Sequence, residues 1–149
     1  MGAMPRYFAY GSNMDRAAMA SRCPDAEALG AARLDSHRFF IARAGYASVE
    51  RRPGAVVHGV LWRVSARDLA ALDAYENVVG GLYRRATLPV RHGNERLRAV
   101  VYIARDQRPG RALSGYQESS VLRPARDWGF PSAYLDELAG WASRRARSA

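Results

Sequence analysis

The sequence YFAYGSNM, at residues 7–14, is typical of a strand that turns directly into a helix. The stretch from Arg6 to Tyr10 is rich in aromatic residues and predicts a strand, and Gly11 to Asn13 is a turn-forming triplet. Apolar residues at helical spacing follow from Met14 to Arg22, and Pro24 ends that helix. Three consecutive backbone amides therefore stand where a strand meets a helix.

This junction has two interpretations. Amides at a helix start attract a carboxylate or an oxyanion, and Gly11 would let such a ligand come close to the backbone. Alternatively, Ser12 or Asn13 caps the helix after a buried strand. Local physics alone favours this second, purely structural interpretation.

A second element, LDAYE at residues 72–76, ends in a carboxylate. Ser65 and Asp68 have capping-box spacing, so we expect a helix from Ser65 to near Glu76, before the loop of residues 77–81. A glutamate at a helix C-terminus opposes the helix dipole, and an apolar strand beside it would raise its pKa. Glu76 would then suit general acid–base catalysis near neutral pH, although an exposed helix-end glutamate is the simpler local interpretation.

The remaining strands come mostly in hairpin-like succession. Four further segments have strand-forming composition: Ala32 to Ala42, Ala55 to Val64, Tyr83 to Arg91 and Leu97 to Ala104. We expect a loop from Gly45 to Gly54, a helix from about Ser114 to Asp127 and a last helix from Pro131. This order lacks the alternation of a doubly wound sheet, so we predict an α+β fold, a small barrel-like mixed sheet decorated by helices.

The length of 149 residues predicts one domain, for which we expect residues 4–143. Residues 1–3 precede a second methionine and are interpreted as a vector remnant, and residues 144–149 as a basic tail. No apolar run is long enough for a membrane span, and no signal peptide is visible. Cys23 is the only cysteine, so an intrachain disulfide is excluded and a cytoplasmic location is the simple expectation.

The net charge of +9 is carried by 23 arginines and no lysine. Such a charge can indicate a nucleic-acid partner, but these arginines are spread along the whole chain. We therefore expect a solvated basic surface, no nucleic-acid partner and no membrane partner.

Several kinds of catalytic motif are absent from the sequence. It has no zinc-ligand spacing, nucleophile elbow, Walker loop or dinucleotide fingerprint, and its three histidines are scattered. Neither a metal nor another cofactor is expected.

In order and spacing, these elements resemble the γ-glutamylcyclotransferase family, which has the small barrel fold of the butirosin-pathway cyclotransferase. YFAYGSNM is similar to the family's substrate loop, and LDAYE followed by GLYRR (residues 81–85) resembles its glutamate element. VYIA (residues 101–104), Gly115-Tyr116 and GFPSAYLDELAGW (residues 129–141) are similar to its later strand, substrate-contacting tyrosine and closing helix. The resemblance extends from about Arg6 to Trp141.

The resemblance implies a metal-independent enzyme that releases 5-oxoproline and an amine or amino acid from a γ-glutamyl compound by intramolecular aminolysis. It implies that Glu76 is the catalytic residue. The substrate-binding residues that it implies are Tyr7, Phe8, Ala9, Tyr10, Gly11, Ser12, Asn13, Tyr83 and Tyr116. Tyr102 is a weaker candidate, because a strand tyrosine is more often a core residue. Asn77 stands where many members have glycine, and asparagine tolerates the left-handed backbone that such a turn needs.

Two other functions stay open at this point. One is a cyclotransferase specific for a γ-glutamylamine or a γ-glutamyl-capped natural product, and the other is a non-catalytic small-molecule binding module on the same fold. The presence of Glu76 argues against the binding module. The leaving amine and the oligomeric state are not determined by the sequence, and a homodimer is one option.

Overall fold

Five strands close into a barrel in this structure, a computed structural model that describes residues 4–143. The strands are β1 (Arg6–Ala9), β2 (Glu27–Ile41), β3 (Ala47–Arg63), β4 (Tyr83–His92) and β5 (Glu95–Ala104). Their hydrogen-bonded order is β1-β3-β2-β4-β5, and β1 closes the ring by pairing parallel with β5. The other pairs are antiparallel, so the predicted mixed, barrel-like sheet is confirmed. The expected vector remnant and basic tail lie outside the described residues.

Four α-helices and two short irregular helices surround the barrel in the described part of the chain. The α-helices are α1 (Arg16–Arg22), α2 (Ala66–Tyr75), α3 (Arg123–Asp127) and α4 (Ser132–Ser143). A 3₁₀ turn at Ser12–Met14 follows β1, and a π-helix at Gln117–Leu122 precedes α3. No helix within residues 4–143 combines the length and the apolar character that a membrane span requires.

The predicted loop from Gly45 to Gly54 is wrong over most of its length, because β3 begins at Ala47. Its first residues pair with the end of β2, from Ile41 opposite Ala47 to His37 opposite Arg51. These pairs extend the β2–β3 ladder past a register shift between Asp35 and His37, so cross-strand hydrogen bonds override the turn-forming tendency of the local composition. The actual connection is limited to residues 42–46.

The predicted helix from Ser114 to Asp127 is confirmed from Gln117 onward, but it is not α-helical throughout. Its first turns have π geometry, and regular α-helix begins only at Arg123. Pro124 explains the change, because it has no N–H to donate and its ring clashes with the carbonyl oxygen four residues earlier. A wider helical register in the preceding turns avoids that clash.

Helix α2 begins as predicted and brings Glu76 to its C-terminus. The Ser65 hydroxyl accepts a hydrogen bond from the Asp68 amide at 3.1 Å, and the Asp68 carboxylate accepts one from the Ser65 amide at 3.1 Å. Leu72 is fully buried and anchors the helix on the core. Glu76 is the residue that caps the C-terminus, with its amide bonded to the Leu72 carbonyl at 2.8 Å.

Candidate active site

A cavity of about 200 Å³ opens between the end of β1 and the C-terminus of α2. Seven of the chain's eight tyrosines line it. Among the described residues, Glu76 is the one lining residue with a side chain that can carry a charge near neutral pH. The lining residues are Tyr7, Phe8, Tyr10, Gly11, Ser12, Asn13, Tyr46, Ala47, Tyr75, Glu76, Leu82, Tyr83, Tyr102 and Tyr116.

The structure brings together every site residue expected from the sequence except one. Ala9 is buried in β1 but does not line the cavity. The weaker candidate Tyr102 does line it, as do four residues that were not expected: Tyr46, Ala47, Tyr75 and Leu82. Tyr75 directly precedes Glu76 and could have been found from that position, whereas Tyr46 and Ala47 lie where β2 connects to β3, a stretch that has no motif of its own.

The segment after β1 does not serve as a simple helix cap. Asp15 caps α1, because its carboxylate accepts a hydrogen bond from the Ala18 amide at 3.1 Å. Neither Ser12 nor Asn13 makes such a bond, so the structural interpretation of this junction is wrong. Within residues 4–143, no acceptor is present for the backbone amides of Gly11, Ser12 and Asn13. Three unpaired donors at a cavity wall suit an anionic group.

Asn13 and Arg22 tie this segment to the rest of the site. Asn13 is buried, and its side-chain amide donates to the Tyr7 hydroxyl oxygen at 3.0 Å. The Arg22 guanidinium donates to the Asn13 side-chain oxygen at 2.6 Å and lies 3.8 Å from the centre of the Tyr75 ring. The Ser12 hydroxyl lies 3.0 Å from the Tyr75 hydroxyl. Arg22, which was not expected from the sequence, thus connects the Gly11–Asn13 segment to the end of α2.

The Glu76 carboxyl group has a shifted pKa. Burial among the cavity walls raises the pKa of Glu76 from 4.5 to about 7, and the positive charge of Arg22 partly opposes this increase. The predicted direction is therefore confirmed, with burial as the main cause. Asn77 adopts the left-handed backbone expected of it, with φ of 50°, so the chain turns away directly after the carboxylate.

The tyrosine hydroxyls divide into two groups. Those of Tyr10 and Tyr83 donate to the backbone carbonyls of Tyr102 and Ala47, so both protons are already engaged. The Tyr7 hydroxyl instead accepts from Asn13, and the Tyr116 hydroxyl accepts from the Ala47 amide at 3.2 Å.

The protons of Tyr7 and Tyr116 are consequently available to a ligand. Burial raises the pKa of both hydroxyls above the ordinary tyrosine value, so they stay protonated at neutral pH. These two side chains, rather than Tyr10 and Tyr83, can donate hydrogen bonds into the cavity.

Tyr102 has a different role. Its hydroxyl donates to the Asp73 carboxylate at 2.7 Å, and Arg85 pairs with the same carboxylate. Its ring packs edge-on against Tyr7 with centroids 5.7 Å apart. Tyr102 therefore forms a fixed wall of the cavity and anchors the last turns of α2 to β5.

Metal ligands and a reactive thiol are not apparent. Within the part of the chain that the structure describes, no three His, Cys, Asp or Glu side chains group together as a metal site. Burial raises the pKa of the Cys23 thiol to about 11, which leaves it protonated at neutral pH.

Sequence comparison identifies related proteins over most of the chain. A family model described as "Gamma-glutamyl cyclotransferase, AIG2-like" matches residues 7–128. A gamma-glutamylcyclotransferase of Mus musculus is 27% identical over 144 residues, which span 89% of this chain and 76% of the mouse protein. A gamma-glutamylcyclotransferase of Bos taurus is 32% identical over 87 residues, 52% of this chain and 46% of the bovine one.

Solved structures with the same fold support this match. A structure described as a gamma-glutamyl cyclotransferase superimposes with a TM-score of 0.86 at 22% identity, covering 97% of this chain and 91% of the other. An uncharacterized protein from Homo sapiens gives a TM-score of 0.87 at 23% identity, with coverage of 99% and 93%. At this level of identity the two likenesses establish the fold.

The raised pKa of Glu76 predicts how stability depends on pH. Between pH 4.5 and about 7 the folded protein holds a proton on Glu76 that the unfolded chain has lost, so the free energy of unfolding falls as pH rises through this window. Replacing Glu76 by Gln removes that loss, which amounts to at most about 3 kcal/mol. In urea unfolding, the free energy of unfolding of the variant should increase relative to that of the parent as the pH rises from about 4 to about 8. Parallel pH profiles for the two proteins would contradict a raised pKa.

The position of Arg22 predicts a further shift of the same pKa. Arg22→Met removes a positive charge that favours the carboxylate, so the pKa of Glu76 should rise above its value of about 7. The carboxyl carbon resonance of Glu76, followed by NMR through a pH titration, measures this. Arg16→Met is a matched control, because Arg16 also lies on α1 and its guanidinium stacks 3.8 Å from the Trp128 ring. An equal shift in both variants would show that the effect is not specific to Arg22.

Proposed function

The chain belongs to the gamma-glutamyl cyclotransferase, AIG2-like family, and on this premise we propose that it is an enzyme that converts a γ-glutamyl compound into 5-oxoproline and a free amine or amino acid. The observation that carries the proposal is a half-buried carboxyl group with a pKa of about 7, that of Glu76, in a cavity that is also lined by residues with unpaired backbone amides. Such a cavity can bind an anionic head group and move a proton within it.

The glutamyl head of the substrate carries an α-carboxylate and an α-ammonium group. The unpaired amides of Gly11, Ser12 and Asn13 are suitable donors for the α-carboxylate, and the neighbouring Glu76 is a suitable partner for the α-ammonium. A Cβ atom at Gly11 would lie 3.4 Å from the Tyr116 hydroxyl and 3.4 Å from Ala47 Cβ. The fold could accommodate that contact, so the glycine here serves mainly to keep space for a ligand.

The first chemical step proposed is removal of a proton from the α-ammonium group by the Glu76 carboxylate. The freed amine then attacks the γ-carbonyl carbon of the same molecule and forms a five-membered ring. Because the nucleophile is already attached to the substrate, holding the chain in a bent conformation supplies much of the rate increase. A pKa near 7 gives Glu76 both forms near neutral pH, as a group that takes and returns a proton requires.

Attack on the carbonyl creates an oxyanion. The Tyr116 hydroxyl is a suitable donor to it, because the hydroxyl accepts from the Ala47 amide and keeps its own proton for a ligand. The Tyr7 hydroxyl, oriented by Asn13, is a second candidate. When the intermediate collapses, the bond from the carbonyl carbon to the leaving nitrogen breaks and protonated Glu76 returns its proton to that nitrogen. The regenerated Glu76 carboxylate then takes the second proton from the ring nitrogen, which leaves the neutral lactam, and passes this proton to the released amine. These steps need no metal or other cofactor.

The same machinery could act on other leaving groups. A γ-glutamylamine or a γ-glutamyl-capped natural product would place an identical glutamyl head in the cavity. Such substrates would differ only in the leaving group, which would lie at the mouth of the cavity. A non-catalytic binding module is the remaining alternative, and the shifted pKa of Glu76 argues against it, because binding alone does not require a proton-transfer group.

Replacing Glu76 by Gln tests the proposal. The variant keeps the shape of the side chain but cannot accept a proton, so release of 5-oxoproline should fall by roughly a hundredfold to ten-thousandfold. In the parent protein, kcat/KM should decrease as the pH falls below about 7, because Glu76 becomes protonated and can no longer act as a base. Liquid chromatography of 5-oxoproline formed from a panel of γ-glutamyl compounds measures both effects.

Glu118→Gln is the control for the loss of one carboxylate. Glu118 is exposed, pairs with Arg126 and does not line the cavity. Its replacement should leave turnover near the parent value. If Glu76→Gln also retained near-parent turnover, the proposed role of Glu76 would be wrong.

A further inference from the structure

Two tyrosines at the mouth of the cavity are unusually exposed. Tyr46 is 39% and Tyr75 is 44% exposed, whereas Tyr7, Tyr10, Tyr83 and Tyr102 of the inner wall are each at most 6% exposed. Exposed aromatic rings beside a cavity commonly mark a surface that another molecule covers. The cavity therefore has an enclosed inner part and an open, aromatic rim.

Both rim tyrosines are held in place although they face solvent. The Tyr46 ring packs edge-on against Tyr116 with centroids 5.3 Å apart. The Tyr75 ring lies under the Arg22 guanidinium at 3.8 Å, and its hydroxyl lies 3.0 Å from that of Ser12. Rings fixed in this way lose little conformational entropy when a ligand packs on them, which favours binding.

The substrate's two ends fall into these two parts of the cavity. On the proposed function, Glu76 and the unpaired amides hold the glutamyl head, and the whole cavity, rim included, has a volume of about 200 Å³, below the range of about 300–1,000 Å³ that is usual for drug-sized ligands. The group on the far side of the γ-amide must then extend to the mouth, where the exposed Tyr46 and Tyr75 lie.

The charges near the rim argue against a cationic leaving group. An aromatic pair can bind a cation through its ring faces, but one face of Tyr75 already carries the Arg22 guanidinium. The chain has a net charge of +9, and within residues 4–143 no acidic residue besides Glu76 lines the cavity. An apolar side chain meets neither of these obstacles.

We propose that the enzyme selects γ-glutamyl compounds whose leaving amine bears an apolar, preferably aromatic, group, and that Tyr46 and Tyr75 are the specificity-determining residues. This inference rests on the proposed function. Because γ-glutamylglycine has no side chain to contact the rim, it reports the reaction without the rim contact. The difference in kcat/KM between a γ-glutamyl compound with an aromatic side chain and γ-glutamylglycine isolates the contribution of the rim.

The test compares kcat/KM for γ-Glu-Phe, γ-Glu-Lys and γ-Glu-Gly, measured as 5-oxoproline release. The parent enzyme should prefer γ-Glu-Phe to γ-Glu-Gly by about two- to tenfold, the scale of one aromatic contact. Tyr46→Ala and Tyr75→Ala should each reduce this preference, and Tyr46→Phe should retain it. Val79→Ala is the control, because Val79 is fully exposed and does not line the cavity.

The outcomes separate the two levels of the proposal. Failure to release 5-oxoproline from any γ-glutamyl compound would overturn the proposed function and this inference with it. Release without a preference for γ-Glu-Phe, or a preference that both alanine variants retain, would overturn the inference alone. A preference for γ-Glu-Lys would also overturn it, because the rim would then be a cation site.

Discussion

Strand β1 is four residues long and is held on both sides, by β3 and by β5. Its pairing with β5 closes the barrel, and its last residue leads directly into the segment that lines the cavity. Gly59 of β3 makes this close approach feasible, because a Cβ atom there would lie 2.5 Å from the Ala9 carbonyl oxygen. The position of the Gly11–Asn13 amides therefore depends on how tightly β1 packs in the barrel.

The end of α2 is fixed from the opposite side. Asp73 joins it to β5 through Tyr102, and Arg22 joins it to the Gly11–Asn13 segment through Tyr75 and Asn13. A carboxyl group between two such anchored elements cannot readily move out to solvent, and this explains why its pKa stays high. Rigid walls around one titratable group are the arrangement that a pre-organised proton-transfer site requires.

Much of this arrangement could be predicted from the sequence, because it depends on local patterns. The capping box at Ser65 and Asp68 marks the start of α2, the loop composition of residues 77–81 places Glu76 at its end, and the helix end and apolar surroundings indicate the direction of the pKa shift of Glu76. The start of β3 was missed because its pairing with β2 depends on cross-strand contacts, while the local composition favours a turn. Arg22 has no signal in the sequence and Tyr102 only a weak one for a similar reason, since their partners lie on other elements and no spacing along the chain reveals such contacts.

A crystal structure of the Glu76→Gln variant with an intact γ-glutamyl dipeptide tests the central claim most directly. We expect the α-carboxylate to lie on the amides of Gly11 to Asn13. We also expect the α-amino nitrogen within about 3.2 Å of the substituted side chain at position 76, the reach of a proton-transfer contact. A dipeptide bound with its α-amino group away from position 76, or bound outside this cavity, would contradict the proposed role of Glu76.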